Sequence, residues 1–239
     1  MVAHLSDSMI FGPRPYGLRM IALVAVMALS GCSNKQVIVT GNFPTPTMTK
    51  VQTTLGVVYS PEFANHEFFD EAKGRNESSW LVQTGTAQVE FWNTFLPGMF
   101  ERVVVIGSDE DWHTHHESLD AVLIPQVAEL QYAIPLHTNV KVYEIWLRYQ
   151  FRLVTPEAIH AHEAESLMFN PAEDIASFTL TAYGKTPSAF MQSDTDAVNY
   201  AAIVALRDAG ANFVTQFDRI PAVATWLLAL GEDTPGEAP

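Results

Sequence analysis

Cysteine is almost absent from this chain: of 239 residues, Cys32 alone carries a thiol. No internal disulfide can form, so a folded body must be held by its core. Positive charge is scarce as well, with 13 lysines and arginines against 27 aspartates and glutamates. A surface of that sign is repelled by phosphate backbones, which argues against nucleic acid as a partner. The signatures of nucleophilic and nucleotide chemistry are missing. There is no Gly-x-Ser-x-Gly elbow and no Ser-x-x-Lys, and Gly85-Thr86 and Gly107-Ser108 lack the Gly-x-x-x-x-Gly-Lys pattern of a phosphate loop. Long apolar runs are missing too. Residues 20–29 have the length of a signal h-region, whereas a membrane-spanning helix needs about 20 apolar residues.

What is present begins with Arg14 and Arg19, a basic n-region ahead of that run, which ends in Leu29-Ser30-Gly31-Cys32. The arrangement resembles the lipobox of bacterial lipoprotein precursors. The resemblance implies that Cys32 is alkylated by a diacylglyceryl group, that the chain is cut before it, and that the new amino terminus is acylated, as with palmitate. The bound group is then a covalent lipid and not a cofactor. Ser33 stands where an aspartate would retain such a protein at the inner membrane, so the resemblance implies the outer membrane, periplasmic side. Met9 is a more ordinary start than Met1, since both arginines still follow it. Cleavage removes Arg14, Arg19 and Asp7, leaving 11 basic and 26 acidic residues of the original 13 and 27, a net charge of −15. Anionic lipid repels that body. Attachment falls to the acyl chains, each buried CH₂ contributing about 0.8 kcal/mol.

The organisation expected is a signal peptide at 1–31, a lipidated tether at 32–49 built around Pro44 and Pro46, one domain at 50–231, and a disordered tail at 232–239. Within the domain, residues 50–59 and 102–106 read as strands, and a hairpin turn is expected at 73–76. Residues 84–102 carry Ala87, Phe91, Phe95 and Met99 four apart, the stripe of an amphipathic helix, with Pro97-Gly98 placed to kink or end it. Residues 119–134, 140–154 and 175–183 alternate as longer strands, with a turn at 135–139. Ser193 with Asp194 and Asp196 opens a second helix, whose buried face is Val198, Ala201, Ala202, Ala205, Ala209, Phe213 and Phe217. Pro221 and Gly231 bracket a short last helix. The fold class expected is α+β: a mainly antiparallel sheet with two main helices on one face and a short C-terminal helix. That element order looks like the small accessory lipoproteins of Gram-negative envelopes.

Two clusters have the residue types for metal chemistry. Asp109-Glu110-Asp111-Trp112-His113-Thr114-His115-His116-Glu117, if extended, points His113 and His115 one way, and with His116 they are candidate Zn²⁺ or Cu²⁺ ligands. The plainer alternative is a hydrated polar loop. His160 and His162 with Glu157, Glu163 and Glu165 form the second cluster. A third feature is the strand at 140–153, where Trp146 is out of phase with Tyr143 and Tyr149, so an aromatic can face water as a partner contact. The reading these features favour is a non-enzymatic accessory or scaffold in envelope assembly or transport, held to the membrane by lipid and joined to an envelope protein. A periplasmic metal binder and an envelope-polymer hydrolase are the alternatives.

Overall fold

The computed structural model describes residues 35–71, 78–133, 142–159, 174–187 and 193–233. The lipobox and Cys32, the turns at 73–76 and 135–139, the residues His160, His162, Glu163 and Glu165, and the tail from 234 lie outside them.

The β-branched tract Val37-Ile38-Val39 overturns the expected tether. Strand β1 spans Lys35–Ile38, and Val37, Val39 and Phe43 are buried in the main core. The folded body therefore already includes Lys35 and the residues after it, and is not confined to residues from 50 on. The remaining strands are β2 (Val51–Val57), β3 (Glu67–Asp70), β4 (Trp80–Gln83), β5 (Phe100–Val105), β6 (Ala121–Ala133), β7 (Glu144–Val154) and β8 (Asp174–Lys185). The helices are α1 (Pro61–Ala64), α2 (Gly85–Met99), α3 (Asp109–His115), α4 (Asp194–Gln216) and α5 (Pro221–Asp233).

Five strands form the main sheet in the order β5-β2-β6-β7-β8. Its long ladders are antiparallel, β6 with β7 and β7 with β8, while β2 pairs parallel with β5 and with β6. A second sheet, β1-β4-β3, was not legible in the sequence. In it β1 runs parallel to β4, and β3 pairs antiparallel with β4. A bulge in β6 between Val127 and Glu129 changes which residues face inward. Leu130 is buried and Tyr132 packs on the core, and the intervening Glu129 and Gln131 turn outward.

The two main helices, α2 and α4, cover one face of this sheet. Trp92 of α2 is fully buried, with its ring 5.3 Å from Phe151, 5.4 Å from Phe213 and 5.9 Å from Tyr149. Every residue expected on the inner face of the second helix is buried. Its alanines serve close approach: a Cβ on Gly184 of β8 would stand 2.0 Å from the Ala201 carbonyl oxygen. The same helix closes the β8 edge. Asp208 accepts from the Tyr183 N–H at 2.9 Å, and Asn212 donates to the Thr181 carbonyl at 3.1 Å, occupying backbone groups that would otherwise recruit another strand. Ser193 and Asp196 form a reciprocal capping box at its start. Helix α2 ends two residues after Pro97, and α5 runs past Gly231 to Asp233.

Candidate functional site

The face of the sheet opposite α2 and α4 is divided. Near the start of β6 it is covered by α3, whose Trp112 joins Ile106, Leu119, Val122, Ile124 and Val154 in a second, smaller core. Toward the other end the outer face of β6, β7 and β8 is uncovered among the described residues. Alternation along β7 puts Ile145, Leu147, Tyr149, Phe151 and Leu153 inside and Glu144, Trp146, Arg148 and Gln150 outside. Register then places Trp146 between Gln131 of β6 and Tyr183 of β8, and Arg148 between Glu129 and Thr181.

Trp146 is 40% exposed, the expected wet aromatic, while Tyr143 and Tyr149 are buried. Its ring lies 5.3 Å from that of Tyr183 at an interplanar angle of 37°. Trp146 borders a shallow pocket of about 240 Å³, lined also by Glu129, Gln131, Leu147, Arg148 and Thr181. Arg148 meets Glu129 at 2.5 Å, Gln131 donates to the same carboxylate, and the Tyr183 hydroxyl donates to Glu144. That bond raises the Tyr183 hydroxyl above the usual phenol range. The result is an apolar, ring-faced patch inside a rim of already paired polar groups. Of the acidic groups in that rim, Glu129 is charge-paired through Arg148, and Glu144 is held by the Tyr183 hydroxyl.

The histidine cluster does not form as the extended segment anticipated. Residues 109–115 are helix α3, followed by a 3₁₀ turn at His116–Ser118. Ser108 caps the helix, accepting from the Asp111 N–H at 3.2 Å, and Asp111 accepts from the Ser108 hydroxyl at 2.9 Å and the Gly107 N–H at 3.2 Å. These bonds lower the Asp111 carboxyl below the ordinary range, the Ser108 hydroxyl most of all. On a helix His113 and His115 lie about 200° apart and cannot share an ion. His116 donates from Nδ1 to the Trp112 carbonyl at 3.0 Å and packs its ring on Trp112, acting as a structural cap. Among the described residues no group of three or more His, Cys, Asp and Glu side chains is placed to hold a metal ion.

One polar constellation escaped the sequence reading. His66 Nδ1 lies 2.7 Å from Thr84 Oγ1, which also accepts from Gln88 Nε2 at 2.7 Å. Burial lowers the His66 pKa, opposed by the charge of Glu67. The three side chains join α2 to the loop before β3, beside a cleft bordered by Ile38, Asn65, Glu67 and Thr86. Thr84 is 1% exposed, so its hydroxyl is a structural link and is closed to a substrate. A single histidine and a threonine 18 residues apart give no spacing signal in sequence.

These features define an α+β protein whose outer sheet face is covered only in part among the described residues, none of whose helices is long and apolar enough to cross a membrane. No known family matches the chain, and no curated protein matches it. Solved structures similar to it include lipoproteins of Gram-negative bacteria. Protein XCC0632 of Xanthomonas campestris is 12% identical, with 86% of this chain and 99% of that one covered and a TM-score of 0.35. A homolog of neuraminyllactose-binding hemagglutinin from Helicobacter pylori is 12% identical, covering 79% and 100%, with a TM-score of 0.44. A minor lipoprotein of Acinetobacter baumannii is 12% identical, covering 71% and 94%, with a TM-score of 0.31.

Proposed function

We propose that this chain is a lipid-anchored protein of the outer membrane, facing the periplasm, that serves as a non-enzymatic accessory or scaffold by docking an envelope protein on its Trp146 face. The observation that carries the reading is the lipobox, Leu29-Ser30-Gly31-Cys32, after a basic and then apolar leader. A domain with its own closed core and a protected β8 edge needs no second anchor to stay folded beside a membrane. The patch at Trp146 and Tyr183 supplies desolvable aromatic area, and the net charge of −15 after cleavage disfavours self-association, so the partner is a different, complementary protein.

Fractionation of cells expressing the Cys32→Ala variant tests the anchor. The wild-type protein stays with outer-membrane vesicles through a high-salt wash, and the variant is lost from them. A variant that remains bound overturns the lipid-anchor reading.

A further inference from the structure

Cys32 stands three residues before Lys35, and Lys35 is already locked into the fold. Its N–H donates to the Ser79 carbonyl at 2.8 Å, its ammonium lies 2.7 Å from Asp194 Oδ2, and the same nitrogen sits 4.8 Å from the centre of the Trp80 ring. An extended chain covers at most about 3.6 Å per residue, so the Cα of Cys32 lies within about 11 Å of that of Lys35. A tether running to residue 50 would have reached roughly 65 Å at the same rise. The structure thus leaves almost no slack between a lipidated cysteine and the body.

The end of the molecule held in this way can be named. Lys35 starts β1 beside Trp80, the start of β4, and Trp80 in turn pairs on its other side with Asp70, the end of β3. The Tyr132 hydroxyl, near the end of β6, donates to Asp70 at 2.7 Å. Glu144, the first residue of β7, pairs with Lys185, the last of β8. Helix α4 starts here too, its Asp194 bonded to Lys35 and accepting from the Tyr143 hydroxyl at 2.5 Å. We propose that this end rests on the lipid headgroups of the bilayer into which Cys32 is anchored. The proposal deepens the lipid-anchor reading and depends on it.

The chemistry of the end suits that position. Asp70, Glu144 and Asp194 each accept from a tyrosine hydroxyl, which holds the three carboxylates in place, and the charge of Asp194 is paired with Lys35. Lys185 is an exposed cation. The Trp146–Tyr183 pair stands one row further along the strands, two residues or about 7 Å from the end. Rings with polar tips suit headgroup depth. A protein that meets Trp146 therefore does so at the membrane surface.

The test uses the full lipidated protein in vesicles of phosphatidylethanolamine and phosphatidylglycerol. Alkylation of Cys32 leaves an engineered cysteine as the one free thiol, so spin labels are placed singly through Lys185→Cys at the anchored end and Glu117→Cys at the far end. Both sites are exposed, and the length of β6 separates the two ends by roughly 40 Å. The expected result is collision with a water-soluble relaxing agent several-fold lower at 185 than at 117, and restored at 185 by 20 Gly/Ser residues inserted between Asn34 and Lys35. Flotation of the same samples reads anchoring separately. A protein that floats with equal exposure at the two sites, or whose protection at 185 survives the insertion, overturns the orientation alone. One that does not float overturns the anchor and the orientation together.

Discussion

The ammonium of Lys35 meets the carboxylate of Asp194 at 2.7 Å across 159 residues of chain, joining the first described residue to the start of α4. The same carboxylate receives the Tyr143 hydroxyl, and burial with that bond raises the tyrosine pKa above its ordinary range. Asp194 is thus the joint of three elements. Both partners of the ion pair are about a third exposed, which holds the pair near the surface value.

Replacing either residue measures that joint. Lys35→Ala is expected to cost about 0.5–1 kcal/mol, the value of a partly screened pair. Asp194→Ala also removes the acceptor of Tyr143, a hydrogen bond to a charged group, and is expected to cost about 2–4 kcal/mol. Urea melts of both variants check the order; equal losses would mean that Tyr143 draws nothing from Asp194.

Trp146 and Trp92 give opposite expectations for the same substitution. Trp92→Ala empties the centre of the aromatic core and is expected to cost about 3–5 kcal/mol. Trp146→Ala removes a ring that faces water and is expected to shift stability by under about 1 kcal/mol. Thermal unfolding of the two variants decides it. A Trp146→Ala loss comparable to that at Trp92 removes the reason to place a contact surface on this face.

Glycine substitutions test the fit between α4 and β8. At Gly184 an added Cβ would meet backbone, 2.0 Å from the Ala201 oxygen and 2.3 Å from the Ala205 nitrogen, so Gly184→Ala must push the helix off the sheet. The expected loss is at least about 1–3 kcal/mol, the cost of overpacking. At Gly231 a Cβ has nothing within 4 Å, and Gly231→Ala in α5 is expected to stabilise by up to about 1 kcal/mol. Opposite signs in denaturant melts are the expected result.

His66 makes stability depend on pH. Its folded pKa lies below the ordinary histidine value of 6.5, chiefly through burial, so as pH falls the unfolded chain takes up the proton first. The stability it contributes is complete above about pH 6.5 and is lost as pH falls through the depressed folded value. Melting temperatures between pH 8 and pH 5 are expected to decline more steeply for the wild type than for His66→Gln. Parallel profiles would show that the imidazole is neutral in neither state or in both.

What the sequence by itself determined is what nearest neighbours along the chain decide. The four-residue stripe through Phe91 and Phe95, the alanine face of α4, the Ser193–Asp196 cap and the alternation through Ile145, Leu147 and Tyr149 are local periodicities, and each element formed with that face inward. The Ser108-x-x-Asp111 cap was equally local, and it is the signal that would have made the histidine segment a helix. Tertiary structure decided the rest. Whether Val37-Ile38-Val39 is tether or strand depends on β4, 45 residues away, offering a free edge at Trp80 and a core for Val37. Whether Trp146 is buried depends on the helices choosing the opposite face. The outward turn of Glu129 and Gln131 depends on one extra residue in β6. These outcomes are set by burial and hydrogen bonds shared between distant segments, and short-range periodicity carries no term for the partner that will be found across the fold.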